Sequence, residues 1–118
     1  MAITGAHSLV YTSEPEKVRA IFRDVFGWPH VDAGDGWLIF RLPPGEVGVH
    51  PGETGSSALT LMCDDIEATI DELRGVDGIE IKGPPVDRGF GILTFLVLPG
   101  GLELQLYEPR HPLANELT

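Results

Sequence analysis

Four histidines, one cysteine, two tyrosines and a polar run on the last strand are the groups in this 118-residue chain best equipped for chemistry. Imidazole ligates transition metals and moves protons near neutral pH, and His7, His30, His50 and His111 supply it. His30 follows Pro29 near a strand start. His111 stands in the Pro-bounded tail Glu108-Pro109-Arg110-His111-Pro112, and both read as surface residues. Tyr11 and Tyr107 carry phenols that can orient a substrate or donate a proton. A helix N-terminus can activate a thiol such as Cys63. Its place on the Leu59/Leu61 face reads instead as a small buried hydrophobe. No HExxH, phosphate loop or Ser-His-Asp spacing is present.

The elements that must position these groups come in two similar halves. In the first, an extended run over 6–12 leads into Ser13-Glu14-Pro15-Glu16. Ser13 and Glu16 have capping-box spacing, and Pro15 falls in the first turn, where its missing N–H is harmless. Val18, Ile21, Phe22, Val25 and Phe26 then form one apolar helix stripe, which Gly27 ends. In the second half, 58–63 is extended, Asp64 and Glu67 repeat the cap spacing, and Ile66, Ile70 and Leu73 form the stripe before Gly75. A shift of 51 places Ser13 on Asp64, Glu16 on Glu67 and His7 on Ala58. The expected helices cover 14–26 and 65–74.

Three strand-like segments follow each helix: about 30–34, 36–42 and 46–50, then about 79–82, 91–98 and 102–107. Asp35-Gly36, Pro43-Pro44-Gly45 and Pro99-Gly100-Gly101 supply turn chemistry. Aligning Pro44 with Pro99 needs a shift of 55, so the second module is four residues longer between helix and last strand. The expected organisation is a single domain over 1–118, with modules about 1–54 and 55–118 and a polar join, Pro51-Gly52-Glu53-Thr54-Gly55-Ser56. Each module is βαβββ, an α+β architecture that buries its helices on one sheet face. On the final strand Leu102, Leu104 and Leu106 point one way, and Glu103, Gln105 and Tyr107 the other. Val47 and Val49 alternate likewise with Glu46, Gly48 and His50. A polar face on the terminal strand of both modules marks a cleft.

Composition sets outer bounds. A 42% hydrophobic fraction is that of a folding chain, long enough to bury a core without disulfides. One cysteine excludes an intramolecular disulfide and a four-cysteine zinc site. The start lacks signal-peptide character and no apolar stretch reaches spanning length, so the expected location is cytoplasmic, with no membrane partner. The net charge of −10 and the lack of a Lys/Arg cluster argue against a nucleic-acid partner.

His7 before Ser13-Glu14-Pro15-Glu16, the Met62-Cys63-Asp64-Asp65-Ile66 helix start and the run from Pro99 to Pro109 resemble, in order and spacing, the vicinal-oxygen-chelate superfamily of glyoxalases, bleomycin-resistance proteins and extradiol dioxygenases. The resemblance implies two βαβββ modules forming an open, curled mixed sheet around a cleft, in a homodimer. It also implies one divalent metal (Fe, Zn, Ni or Mn), with His7, His50 and Gln105 as ligands. The fourth ligand position falls on Ala58, which has no donor atom, so the site is degenerate. Trp37, in a hairpin strand, reads either as a core residue or as an aromatic wall of the kind common in that family's ligand sites, and Tyr11 and Tyr107, on the cleft faces by alternation, join it as substrate-binding candidates.

Two functions stay open. In one, a metal-dependent lyase, isomerase or dioxygenase polarises a small oxygenated substrate, with Glu103 as catalytic base. In the other, the cleft binds a small drug or metabolite without catalysis or metal. His7 and His50 favour the first; Ala58 and the amide at Gln105 favour the second. A regulatory domain with a filled cleft is a third possibility, since fold alone does not set function.

Overall fold

The computed structural model describes residues 7–46, 51 and 58–114. Its elements follow the chain as α1 (Pro15–Asp24), β1 (His30–Asp32), β2 (Leu38–Phe40), β3 (Thr60–Met62), α2 (Ile66–Leu73), β4 (Glu80–Asp87), β5 (Gly91–Leu98) and β6 (Leu102–Pro109), with a 3-10 turn at Pro99–Gly101 between the last two strands. Both expected helices form. The extended run at 7–12 makes no strand, and the segment expected as the first module's last strand, 46–50, lies outside the described residues except for Glu46.

The helix caps correct the sequence reading by one residue each. Glu14 rather than Ser13 precedes α1, and no side chain caps that helix; the Glu14 N–H instead donates to Thr12 Oγ1 at 3.2 Å. Asp65 rather than Asp64 caps α2 by accepting from the Ala68 N–H at 3.1 Å. Glu108 Oε1 adds a second acceptor, for the Ile66 N–H at 3.1 Å. These two carboxylates satisfy donors that a helix start leaves unpaired. Val25 lies beyond the end of α1 and is exposed, so the stripe buries Val18, Ile21 and Phe22.

Asp35-Gly36 turns the β1–β2 ribbon as its dipeptide predicts. Both residues have positive φ (51° and 81°), and the Trp37 N–H donates to Gly34 O at 2.9 Å. Positive φ at both central positions is the type I′ geometry that matches strand twist.

The larger sheet has the order β3-β6-β5-β4. β3 runs parallel to β6, and the other pairs are antiparallel, so the sheet is mixed and open. β4 is longer than the predicted 79–82 segment because it carries a bulge between Lys82 and Val86, through Gly83-Pro84-Pro85. The buried Thr94 hydroxyl holds that bulge, reaching Gly83 O at 3.1 Å and Lys82 O at 3.3 Å.

One core joins both helices to one sheet face. Val18, Ile21 and Phe22 of α1 and Ile66, Ile70 and Leu73 of α2 cluster with Leu96 and Leu98 of β5 and Leu104 and Leu106 of β6. An aromatic group extends it, with Phe22 4.9 Å from Trp28 and 5.5 Å from Phe40 between ring centroids. Among the described residues, no helix is long and apolar enough to cross a membrane.

Candidate functional site

Strand register decides what the other face of the sheet carries. Cross-strand partners point to the same side. Opposite the leucine face, Thr60 and Met62 of β3 therefore share a surface with Glu103, Gln105 and Tyr107 of β6, with Leu93, Phe95 and Val97 of β5, and with Lys82 and Val86 of β4. Across the strands Thr60, Gln105, Phe95 and Lys82 form one row and Met62, Tyr107, Leu93 and Val86 the next, so the face is more polar toward Glu103 and more apolar toward Leu93. Leu93 is buried there without belonging to the core under the helices, and the register sets Tyr107 and Val86 on either side of it. Phe95 is 37% exposed, Val86 43% and Phe90 50%.

At one end Lys82 Nζ meets Glu103 Oε1 at 2.8 Å, and both groups are well exposed. The carboxylate holds the Lys82 ammonium above its ordinary range, through hydrogen bonding and charge. Beside it Gln105 Oε1 lies 3.5 Å from the Thr60 hydroxyl that donates to it.

The other end contains a group that the sequence reading missed. The Tyr107 hydroxyl lies 3.1 Å from His111 Nε2. His111 Nδ1 lies 2.8 Å from Pro112 O, and Glu46 Oε1 lies 3.9 Å from Nε2. Glu46 Oε2 accepts the Ala114 N–H at 2.7 Å, and the Arg110 N–H donates to Phe90 O at 2.8 Å. The tail thus folds back over the end of β6, placing the His111 ring 6.0 Å from Tyr107 and the Phe90 ring 6.1 Å from it. Burial pushes the Tyr107 phenol above its ordinary range, and Glu46 adds to the effect.

Gly91 makes room for this tyrosine. A Cβ there would come within 2.8 Å of both Tyr107 Cδ2 and Glu108 O. The ring could swing away; the backbone oxygen could not. Gly91→Ala is therefore expected to lower stability by about 1–3 kcal/mol, the usual range for overpacking, and to change the Tyr107 environment. Denaturant unfolding combined with near-ultraviolet circular dichroism checks this, and unchanged spectra and midpoint would contradict it.

His7 is exposed in the segment before α1, and Tyr11 in the same segment is 81% exposed. Trp37 sits on the ribbon under the Arg19 guanidinium, whose Cζ is 4.7 Å from the ring. His50 lies outside the described residues. Cys63 packs at the rim of the core with its thiol against Tyr107 O at 3.6 Å, and burial pushes that thiol above its ordinary range. A bound metal needs several converging donors. Among the described residues, no group of three His, Cys, Asp or Glu side chains is placed to hold one ion.

No family model matches the sequence, and no curated protein sequence matches it. Solved structures do match over nearly the whole chain. One is TnmS3, an antibiotic binding protein from Streptomyces sp. CB03234: 24% identity, 92% of this chain and 98% of that one covered, TM-score 0.64. A second is a lactoylglutathione lyase from Agrobacterium tumefaciens: 15% identity, 92% and 96% covered, TM-score 0.63. A third is a member of the glyoxalase/bleomycin resistance protein/dioxygenase superfamily from Sphaerobacter thermophilus: 22% identity, 90% and 98% covered, TM-score 0.63. The chain therefore has the fold of the glyoxalase/bleomycin resistance/dioxygenase superfamily, as its motif order predicts.

Proposed function

We propose that this protein is a cytoplasmic, non-catalytic binder of a small molecule with a flat apolar body, held on the sheet face opposite the helices. The observation that carries this reading is the character of that face. Leu93 and Val86 share a row with Tyr107, the Phe90 ring stands beside that tyrosine, and Phe95 lies in the next row between Gln105 and Lys82. Mostly apolar walls with a few placed polar groups are what small-molecule sites share. The fold likeness to an antibiotic binding protein is consistent with it.

The face is open on a single chain, so the proposal includes a homodimer in which modules of two copies close the cleft. On this reading the whole chain is one domain of two modules, and Tyr11 and Trp37 face the partner or the ligand only across that dimer.

A neutral aromatic probe such as naphthyl methyl ether tests the proposal. Saturable binding is expected in wild-type protein, with affinity falling about tenfold or more in Phe95→Asp, because a buried charge would displace an aromatic wall. Light scattering on the same samples should give twice the chain mass. Equal binding by wild type and Phe95→Asp would sink the assignment to this face.

The second reading is a metal-dependent lyase, isomerase or dioxygenase with His7, His50 and Gln105 as ligands and Glu103 as base. The fold likeness to a lyase and the presence of His7 and Gln105 favour it. Its test is given in the Discussion.

A further inference from the structure

The hydrogen bonds around His111 carry more than a contact between a tail and a strand. His111 Nδ1 lies 2.8 Å from Pro112 O. A carbonyl oxygen can only accept, so Nδ1 must hold a proton. In the neutral ring Nε2 is then a bare acceptor, and among the described residues the donor facing it is the Tyr107 hydroxyl at 3.1 Å. The Tyr107 proton is thereby committed to His111. What the phenol oxygen has left to offer is its acceptor capacity. That oxygen stands at the end of an apolar, aromatic face made by Met62, Phe90 and Leu93.

We infer that Tyr107, oriented by His111, is a hydrogen-bond acceptor that selects ligands carrying a donor, of the phenol or hydroxy-arene class, over the same ligands without one. The inference rests on the proposed binding face and adds its chemical polarity. Tyr107 is the contacting residue. His111 is a positioning residue, because it acts by occupying the tyrosine proton. Pro109 and Pro112 bracket the segment and limit its backbone, which keeps the imidazole in place. The tail is also pinned at Ala114 by Glu46 and at Arg110 by Phe90 O, so the orientation does not depend on one bond.

The experiment compares naphthol with its methyl ether by fluorescence titration. Wild type should bind naphthol about tenfold more tightly than the ether, the factor expected of one hydrogen bond in a partly dry site. Tyr107→Phe should bring the ratio to about one. His111→Ala should also lower the ratio, by tightening the ether, because the freed tyrosine hydroxyl can then donate to the ether oxygen. A merely structural His111 would weaken both probes alike, and that result overturns its role. If the ether binds and the wild-type ratio is one, the acceptor assignment falls while the binding face stands. If neither probe binds, both fall.

Discussion

Replacing Gly100 with alanine is expected to cost about 2–5 kcal/mol and to lower the melting temperature by about 10 °C or more. Gly100 has φ near +79°, a region where a side chain is strained. A Cβ there would also collide with Thr12 Oγ1 and come within 2.9 Å of the Ser13 nitrogen. That nitrogen is backbone and cannot step aside. The collision would fall at the joint between the first helix and the last β-turn. Thr12 Oγ1 donates to Pro99 O at 2.6 Å, and the Gly100 N–H donates to Glu14 Oε2 at 3.0 Å. Gly101→Ala is the control. Its φ is similar, at +72°, but a Cβ there meets nothing within 4 Å, so only about 1–2 kcal/mol should be lost. Equal losses in the two variants, read by denaturant unfolding, would show that the joint tolerates the methyl group.

Protein purified without chelators and without an affinity metal column is expected to carry well under one transition metal per chain, even after incubation with Fe, Zn, Ni and Mn. Ala58 supplies no ligand, and Gln105 supplies only a neutral amide oxygen already facing the Thr60 hydroxyl. Glu103 could add negative charge, but it lies two residues along the strand from Gln105, about 7 Å away. Its carboxylate is also engaged by Lys82. Elemental analysis decides the point. Near one metal per chain, lost in His7→Ala, would overturn the binder reading. It would direct substrate tests to dicarbonyls and catechols.

The parts of the fold that were legible in the sequence are those set by local period. The stripes Val18-Ile21-Phe22 and Ile66-Ile70-Leu73 are buried as read. The repeat survives even where its details shift. The residues preceding the two helices are Glu14 and Asp65, still 51 apart, although each lies one position beyond the expected cap. Alternation along β6 separated the leucine face from Glu103, Gln105 and Tyr107 without the structure. What local period could not reveal is long-range. The Tyr107–His111–Glu46 group depends on a tail turning back to meet a residue 65 positions earlier. Nothing in Pro-Arg-His-Pro names that partner. The ion pair of Glu103 with Lys82 needed the pairing of three strands. The length of β4 was hidden because two prolines argue against a strand, and the bulge held by Thr94 is what admits them.

That same bulged strand bears on which edge of the sheet another strand could join. β4 is the last strand in the order of the described sheet, where free N–H and C=O groups would ordinarily recruit a strand from another molecule. Pro84 and Pro85 have no N–H to offer, and the kink at Gly83 bends the rim away from a flat pairing geometry. The acidic surplus repels further copies at longer range. Strand-to-strand growth at this edge is thereby disfavoured.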